Sequence, residues 1–269
     1  MKLSIVTINY NNALGLLKTL ESIIKQNAND FEHIIIDGAS TDDSVNVIRN
    51  YEKKLNEKQN KYLLKWISEP DKGIYNAMNK GIDYASGDYL LFINSGDTLF
   101  DDNVVSTFIS YADDADIISG DTLLTDSRKR YAIDSDKLYF DYFVEDSLLH
   151  SSTFIKKTLF EQYGKYTESF KIVSDWEFWI KTLICGSAIY SKINTTISCF
   201  DVNGISNQKE FVEEQNIERQ IVLNKFLPRI YPLYYELIAL RDVATEYRHL
   251  KHGKFGWLIN VILKIKKKK

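Results

Sequence analysis

The sequence predicts an α/β protein: a mostly parallel sheet with helices on both faces, followed by a helical C-terminal appendage. Three observations predict it. Two hydrophobic periods, one strand-like and one helical, alternate over the first 120 residues. The run Tyr89 to Ile93 is apolar throughout, as expected of a strand covered by helices on both faces. A polar cluster follows each of the first four strand-like runs. Alternating strands and helices imply parallel pairing, joined by right-handed crossovers.

Leu3 to Ile8 reads as the first strand, and Leu16, Leu17, Leu20, Ile23 and Ile24 repeat at helical spacing. Phe31 to Ile36 is a second apolar run. Ser40 or Thr41 is expected to cap the next helix by accepting a backbone N–H, with Val45, Ile48, Tyr51 and Leu55 as its apolar stripe. Tyr62 to Ile67 reads as a third strand, Ile74, Met78 and Ile82 as one helix face, and Tyr89 to Ile93 as the fourth strand. Val104, Val105 and Phe108 suggest a short helix, and Ile117 and Ile118 a further strand. Strand-like runs at Leu148 to Ile155 and Ile197 to Asp201 then flank a helix at Trp176 to Ile184. From Gln208 onward the pattern is helical. The simplest organisation is one domain over residues 1–205 and a helical extension with a basic tail over 206–269.

With 269 residues, 44% of them apolar and 26% charged, and only 3 Pro, the chain is neither collagen-like nor low-complexity. Cys185 and Cys199 match no metal-binding spacing and are too few for a disulfide framework, which favours a reducing, cytoplasmic setting. No signal peptide and no apolar run of about 20 residues is expected. The net charge of −3 hides an asymmetry: the last twenty residues hold seven Lys and no acid, and subtracting those seven positive charges leaves −10 on residues 1–249. An acidic body argues against a nucleic-acid partner. Phe255, Leu258, Ile262 and Ile265 share one helical face beside the lysines. Residues 250–269 therefore suit either peripheral contact with an anionic membrane or a last helix ending in a solvated tail.

Ligands of open α/β sheets bind beyond the carboxyl ends of the strands. There the sequence places Thr7, Asn9, Tyr10, Asn11 and Asn12; then Asp37 to Asp43; then Ser68 to Gly73; then Asn94 to Asp97. No GxGxxG or GxxxxGK[ST] phosphate loop is present. Acids outnumber bases in these clusters, with Lys72 the evident cation. A phosphate ligand facing carboxylates needs a cation between them, and oxygen donors suit Mg²⁺ or Mn²⁺. The set fits a nucleotide diphosphate held through a metal.

The ordered segments Ser4-Ile5-Val6-Thr7-Ile8-Asn9-Tyr10-Asn11, Ile36 to Asp42, Ser68 to Gly81, Gly87 to Asp97 and Ser174-Asp175-Trp176-Glu177-Phe178-Trp179 resemble the inverting family 2 glycosyltransferases of the GT-A fold, a Rossmann-like architecture. The resemblance is strong over residues 1–120 and extends to about 205. It implies a nucleotide-sugar donor, usually UDP-linked, and a divalent metal. By this resemblance Thr7, Asn9, Tyr10 and Asp37 line the nucleoside pocket, Asp71 and Lys72 form its next wall, and Ser40, Asn94 and Ser95 meet the donor. Asp97 is the expected metal ligand. Asn94 and Gly96 stand where many members carry acids, and Asn76 stands where Asp is expected.

Asp175 matches the catalytic base, and a helix-initiating acid is its alternative reading. His150 is open to a metal, diphosphate or acceptor contact, or to a structural hydrogen bond. Asp121, Trp176, Gly204 and Ser206 are expected around the acceptor, with edge-turn and core roles open for Asp121 and Trp176. The implied reaction moves a hexose or N-acetylhexosamine onto a glycan, for which a polyisoprenoid-linked surface polysaccharide at the inner face of the cell membrane is the expected acceptor. A sugar nucleotidyltransferase and a catalytically silent binding protein of the same fold are the alternatives.

Overall fold

A computed structural model describes residues 2–58, 62–111, 114–202, 204, 209–233, 236 and 240. Strands and helices alternate first: β1 (Leu3–Asn9), α1 (Ala13–Ile24), β2 (Phe31–Asp37), α2 (Ser44–Glu57), β3 (Leu63–Ser68), α3 (Ile74–Tyr84) and β4 (Tyr89–Phe92). Then come β5 (Thr98–Leu99), α4 (Val104–Ser110), β6 (Ile117–Leu124), β7 (Lys129–Arg130) and α5 (Phe140–Glu145). The chain continues through β8 (Thr153–Lys156), α6 (Lys157–Tyr163), α7 (Ser174–Trp179), β9 (Tyr190–Phe200) and α8 (Val212–Phe226).

The strands form one mixed sheet in the order β3-β2-β1-β4-β8-β6-β9-β5, with β7 paired to β6. β3, β2, β1 and β4 are mutually parallel. β8 pairs antiparallel to both β4 and β6. The first four strands thus point their carboxyl ends the same way, with Asn9, Asp37 and Ser68 in one row of the register.

β1, β2 and β4 are buried along their whole length, as covered parallel strands must be. Leu3, Ile5, Phe31, Ile35 and Leu91 pack with Leu16, Leu20 and Ile23 of α1 and with Ile48, Tyr51 and Leu55 of α2. On the other face Val6 meets Gly81 of α3.

Three local expectations are corrected. α2 starts at Ser44, with Asp43 in the cap position and no side-chain cap bond; Ser40 turns back to Asp37 instead. The expected strand from Leu148 begins as a 3₁₀ turn, His150–Ser152, before β8. The expected helix Trp176 to Ile184 is α7 followed by a π turn at Ile180–Ile184.

The chain divides into two compact units, Met1–Arg219 and Gln220–Lys269. The sheet belongs to the first. In the second, Val222, Leu223 and Leu227 are buried, and Ile221, Ile230, Leu233 and Leu240 are exposed. No helix among the described residues is long and apolar enough to cross a membrane. Residues 250–269, and with them the expected amphipathic tail, lie outside the described residues.

Candidate active site

Asp37 ties three strand ends together. Its Oδ1 accepts from Asn9 Nδ2 at 2.8 Å and from Ser40 Oγ at 2.6 Å. Its Oδ2 accepts from the Ser40 amide at 3.0 Å and from Ser68 Oγ at 2.6 Å. Four donors occupy a carboxylate's acceptor sites, and the residue is fully buried. Asp37 therefore ties Asn9, Ser40 and Ser68 together at the strand ends. Beside this carboxylate, Asn9 Oδ1 is a buried acceptor without a partner.

Above this hub the backbone turns sharply. Asn11 takes a positive φ of 48°, donates its amide to Ser40 Oγ at 2.8 Å, and accepts the Thr41 amide on Oδ1 at 2.8 Å. Tyr10 is exposed beside Gly38. A Cβ on Gly38 would lie 2.4 Å from Asp71 Oδ2 and 3.1 Å from Tyr10 Cδ2. Only a residue without a side chain lets Asp71 and Tyr10 close on this backbone. Asp71 also accepts the Gly73 amide at 2.9 Å, and exposed Lys72 donates its amide to Asn76 Oδ1 at 3.2 Å. Asn9 and Ser40 thus meet at Asp37, and Tyr10 and Asp71 at Gly38, with Lys72 next along the chain.

Thr7 does not join them. It is fully buried, and its Oγ1 pairs with His33 Nε2 at 3.0 Å. His33 Nδ1 pairs with Tyr51 Oη at 2.8 Å, and Tyr51 pairs with Tyr62. Burial holds the His33 imidazole down to about 3, so it stays neutral within the core.

A second cluster lies beyond β4. Asn12 Nδ2 donates to the Ser95 carbonyl at 3.1 Å. Thr19 Oγ1 donates to the Asp97 carbonyl at 2.6 Å and accepts the Gly96 amide at 3.1 Å. Gly96 has a φ of 110°, and a Cβ there would lie 3.3 Å from Asp201 Oδ2. Asp97 Oδ1 accepts the Asp201 amide at 2.8 Å. Burial pushes the Asp97 carboxyl up to about 6, against the lowering effects of that amide and of His150.

His150 joins this cluster to Asp175. Its Nε2 pairs with Asn94 Nδ2 at 3.0 Å, and its Nδ1 with Asp175 Oδ2 at 3.3 Å. Burial opposes a charged imidazole, but the hydrogen bond and charge of Asp175, with Asp97 behind them, raise His150 above its ordinary range. Asp175 Oδ1 accepts the Trp176 amide at 2.9 Å and faces Tyr75 Oη at 3.1 Å. A carboxylate at the start of α7, fixed on both oxygens yet partly open to solvent, can take a proton from a bound hydroxyl.

Both His150 nitrogens are engaged, with Asp175 and Asn94, which is the structural hydrogen-bonding role left open by the sequence. Trp176 takes the core role that the sequence left open. It is buried, its Nε1 donates to the Phe143 carbonyl at 2.7 Å, and Arg219 stacks on its ring at 5.0 Å. Asp121 is a strut: its Oδ2 pairs with Lys129 Nζ at 3.0 Å and its Oδ1 accepts the Ala132 amide at 3.0 Å. Those bonds fasten the segment carrying β7 to β6, the edge-turn role that the sequence left open. Gly204 is exposed after β9, and Ser206 lies outside the described residues.

Sequence reasoning missed Tyr75, Thr19 and Asp201. Asp201 lies at the carboxyl end of β9, but that strand carries many polar residues, so the change that marks the other strand ends is weak there. Tyr75 and Thr19 carry no such signal, since each looks like one more residue of an amphipathic helix.

The oxygen donors fit a hard divalent ion held jointly with phosphate. Asn94 Oδ1 is buried without a partner, and the Asp97 carboxyl is buried where a cation would favour its charged form. Among the described residues no group of three or more His, Cys, Asp or Glu could hold a metal ion. A small protein share, completed by phosphate oxygens, is the usual arrangement for Mg²⁺.

Comparison with known proteins identifies the family. Glycosyl transferase family 2 matches residues 4–171. A PGL/p-HBAD biosynthesis glycosyltransferase of Mycobacterium tuberculosis (strain ATCC 25618 / H37Rv) is 29% identical over 219 residues, covering 78% of this chain and 82% of the relative. An uncharacterized glycosyltransferase of the same strain is 31% identical over 215 residues, covering 77% of this chain and 78% of the relative. Among solved structures, S. aureus TarS 1–349 in complex with UDP-GlcNAc aligns with a TM-score of 0.61 at 19% identity, over 75% of this chain and 58% of that one. The mannosyltransferase PcManGT of Pyrobaculum calidifontis, in complex with GDP-Man and Mn²⁺, aligns with a TM-score of 0.60 at 15% identity, over 86% of this chain and 64% of that one. The sheet topology and the matched span together place the chain in glycosyl transferase family 2, with the GT-A fold.

Proposed function

We propose that this chain is an inverting transferase that moves a hexose or N-acetylhexosamine from a UDP-sugar to a glycan hydroxyl. Residues 1–205 form the catalytic domain in this reading, and 206–269 the extension. The observation that carries it is the hydrogen-bonded line from Tyr75 through Asp175 and His150 to Asn94, which joins a candidate base to the strand-end cluster.

Asp175 takes the proton from the acceptor hydroxyl as its oxygen attacks the anomeric carbon. The bond from that carbon to the UDP oxygen breaks on the opposite face, so one displacement inverts the configuration without a protein nucleophile. His150 and Tyr75 hold the carboxylate for this transfer. Asn9, Tyr10, Ser40, Asp71, Lys72 and Ser95 form the donor pocket, with Tyr10 presenting an aromatic ring and Asn9 Oδ1 an unused acceptor. Asp97 and Asn94 would hold Mg²⁺ or Mn²⁺. When bound, the ion neutralises charge on the departing diphosphate. The UDP-GlcNAc complex of S. aureus TarS and the Mn²⁺ complex of PcManGT support this assignment of donor and ion.

The acceptor in this reading is a polyisoprenoid-linked glycan of a surface polysaccharide, and the basic tail meets the anionic membrane that carries it. The test is a panel of UDP-sugars assayed for UDP release, with and without glycan acceptors, in Mn²⁺, Mg²⁺ or EDTA. The proposal predicts metal-dependent, acceptor-stimulated UDP release from at least one donor. Nucleotide-sugar formation from a sugar phosphate and UTP would make it a nucleotidyltransferase instead. Silence across the panel with UDP still bound would make it a binding protein of the same fold.

A further inference from the structure

The segment that delivers Asp175 is held from an unexpected direction. Residues 171–173 run into α7, and three consecutive amides there point at one carboxylate on α8. Lys171 N donates to Glu218 Oε1 at 2.7 Å; Ile172 N and Val173 N donate to Glu218 Oε2 at 3.1 and 3.2 Å. Glu218 is buried. One turn earlier on the same helix, Glu214 pairs with Lys171 Nζ at 2.7 Å. The residue after Glu218, Arg219, stacks on Trp176. On the opposite side Tyr75 Oη donates to the Ile172 carbonyl at 2.5 Å and faces Asp175 Oδ1. Residue 172 is thus gripped at its N–H by Glu218 and at its C=O by the tyrosine that touches the candidate base.

The geometry points to Glu218 as a positioning residue for the transfer step: it sets the backbone from which Asp175 reaches the acceptor hydroxyl. The inference rests on the reading of Asp175 as the base. Hydrogen bonds to a charged group are the stronger class, and three amides on one buried carboxylate leave little freedom for the segment. Replacing the carboxylate by an amide turns an NH₂ group toward backbone N–H donors, which cannot accept it. The segment then loosens without any change in the donor pocket, where Glu218 makes none of the contacts described above. Misplacement of a reacting group by about 1 Å can cost about a hundredfold in rate.

The experiment compares Glu218→Gln and Glu218→Ala with Asp175→Asn and with Glu32→Gln, a buried carboxylate away from the strand-end site. The donor is whichever UDP-sugar gives the fastest UDP release in the panel. kcat, donor KM and thermal midpoint are measured, with amide hydrogen exchange across 165–180. The expected result is a fall in kcat of at least tenfold for both Glu218 variants, donor KM within twofold, and faster exchange at 171–173. Glu32→Gln should lower the thermal midpoint but leave kcat within twofold. Faster exchange at 171–173 with wild-type kcat would overturn the positioning role. So would unchanged exchange, or a kcat loss no larger than that of Glu32→Gln. A fully active Asp175→Asn would instead overturn the base reading itself, a result distinguishable from failure of the Glu218 inference.

Discussion

Replacing His150 with Ala tests how far the line of hydrogen bonds supports turnover. The imidazole bridges Asp175 Oδ2 at 3.3 Å and Asn94 Nδ2 at 3.0 Å. A hydrogen bond to a charged group contributes about 1.5–3 kcal/mol. The Asp175 contact is long and its carboxylate is 19% exposed, so the lower end applies. If that free energy holds the base in its reactive orientation, its loss costs about tenfold in kcat, at about 1.4 kcal/mol per decade. Removing the ring also strands Asn94, whose Oδ1 already has no partner, and a thermal destabilisation of about 1–3 kcal/mol should accompany the kinetic loss. UDP release with a saturating donor, UDP binding by calorimetry and thermal melting separate the effects. The expected pattern is a tenfold lower kcat, near wild-type UDP affinity and a lowered melting midpoint. A His150→Ala enzyme with wild-type kcat would refute the reasoning, because Asp175 would then need no support from the imidazole.

Three further outcomes are expected. Burial would raise Glu32, but hydrogen bonds from Ser4, from Ser86 and from Lys65 hold it down to about 2 from 4.5. This depressed carboxylate contributes about 3 kcal/mol of stability above about pH 4.5, lost as pH falls toward 2. Denaturant unfolding from pH 7 to 3 should show an acid loss in the wild type that is smaller in Glu32→Gln. Trp176→Phe, which removes the bond to Phe143, should destabilise the fold by about 1 kcal/mol and leave acceptor KM unchanged; a raised acceptor KM would restore Trp176 to the acceptor site. Full-length protein should co-sediment with anionic vesicles at low salt and release at high salt, whereas residues 1–249 should not bind; equal partitioning would end the membrane proposal.

Strand ends were legible because a buried parallel strand is an unbroken apolar run and its end is a sudden change to Asn, Asp, Ser and Gly. That change located Asn9, Asp37, Ser68 and Asn94. What each side chain does there depends on register and on partners distant in sequence. Thr7 is one strand alternation before Asn9, yet it lies deep enough to meet His33 rather than a ligand. Asp37 faces its neighbours on β1 and β3, so two of its four acceptor sites are filled by Asn9 and Ser68, which only sheet pairing brings close, and the other two by Ser40 of its own loop. Asp121 has Lys129 as its partner because β6 and β7 pair, a contact that composition does not display. Trp176 follows Asp175 by one position, and adjacent residues on a helix point to different faces: one reaches His150, the other enters the core. Glu218 was illegible for the same reason. An acid in a helical stretch looks solvated until the fold brings three amides to it.

The central claim is that Asp175 removes the acceptor proton. Its most direct test is Asp175→Asn, assayed for sugar transfer to a glycan acceptor beside UDP binding by calorimetry. Asn keeps the size and much of the hydrogen bonding but cannot accept the proton, so the account predicts unchanged UDP affinity and a loss of transfer of about 10²–10⁴-fold. Transfer by Asp175→Asn at a rate near that of the wild type would contradict it.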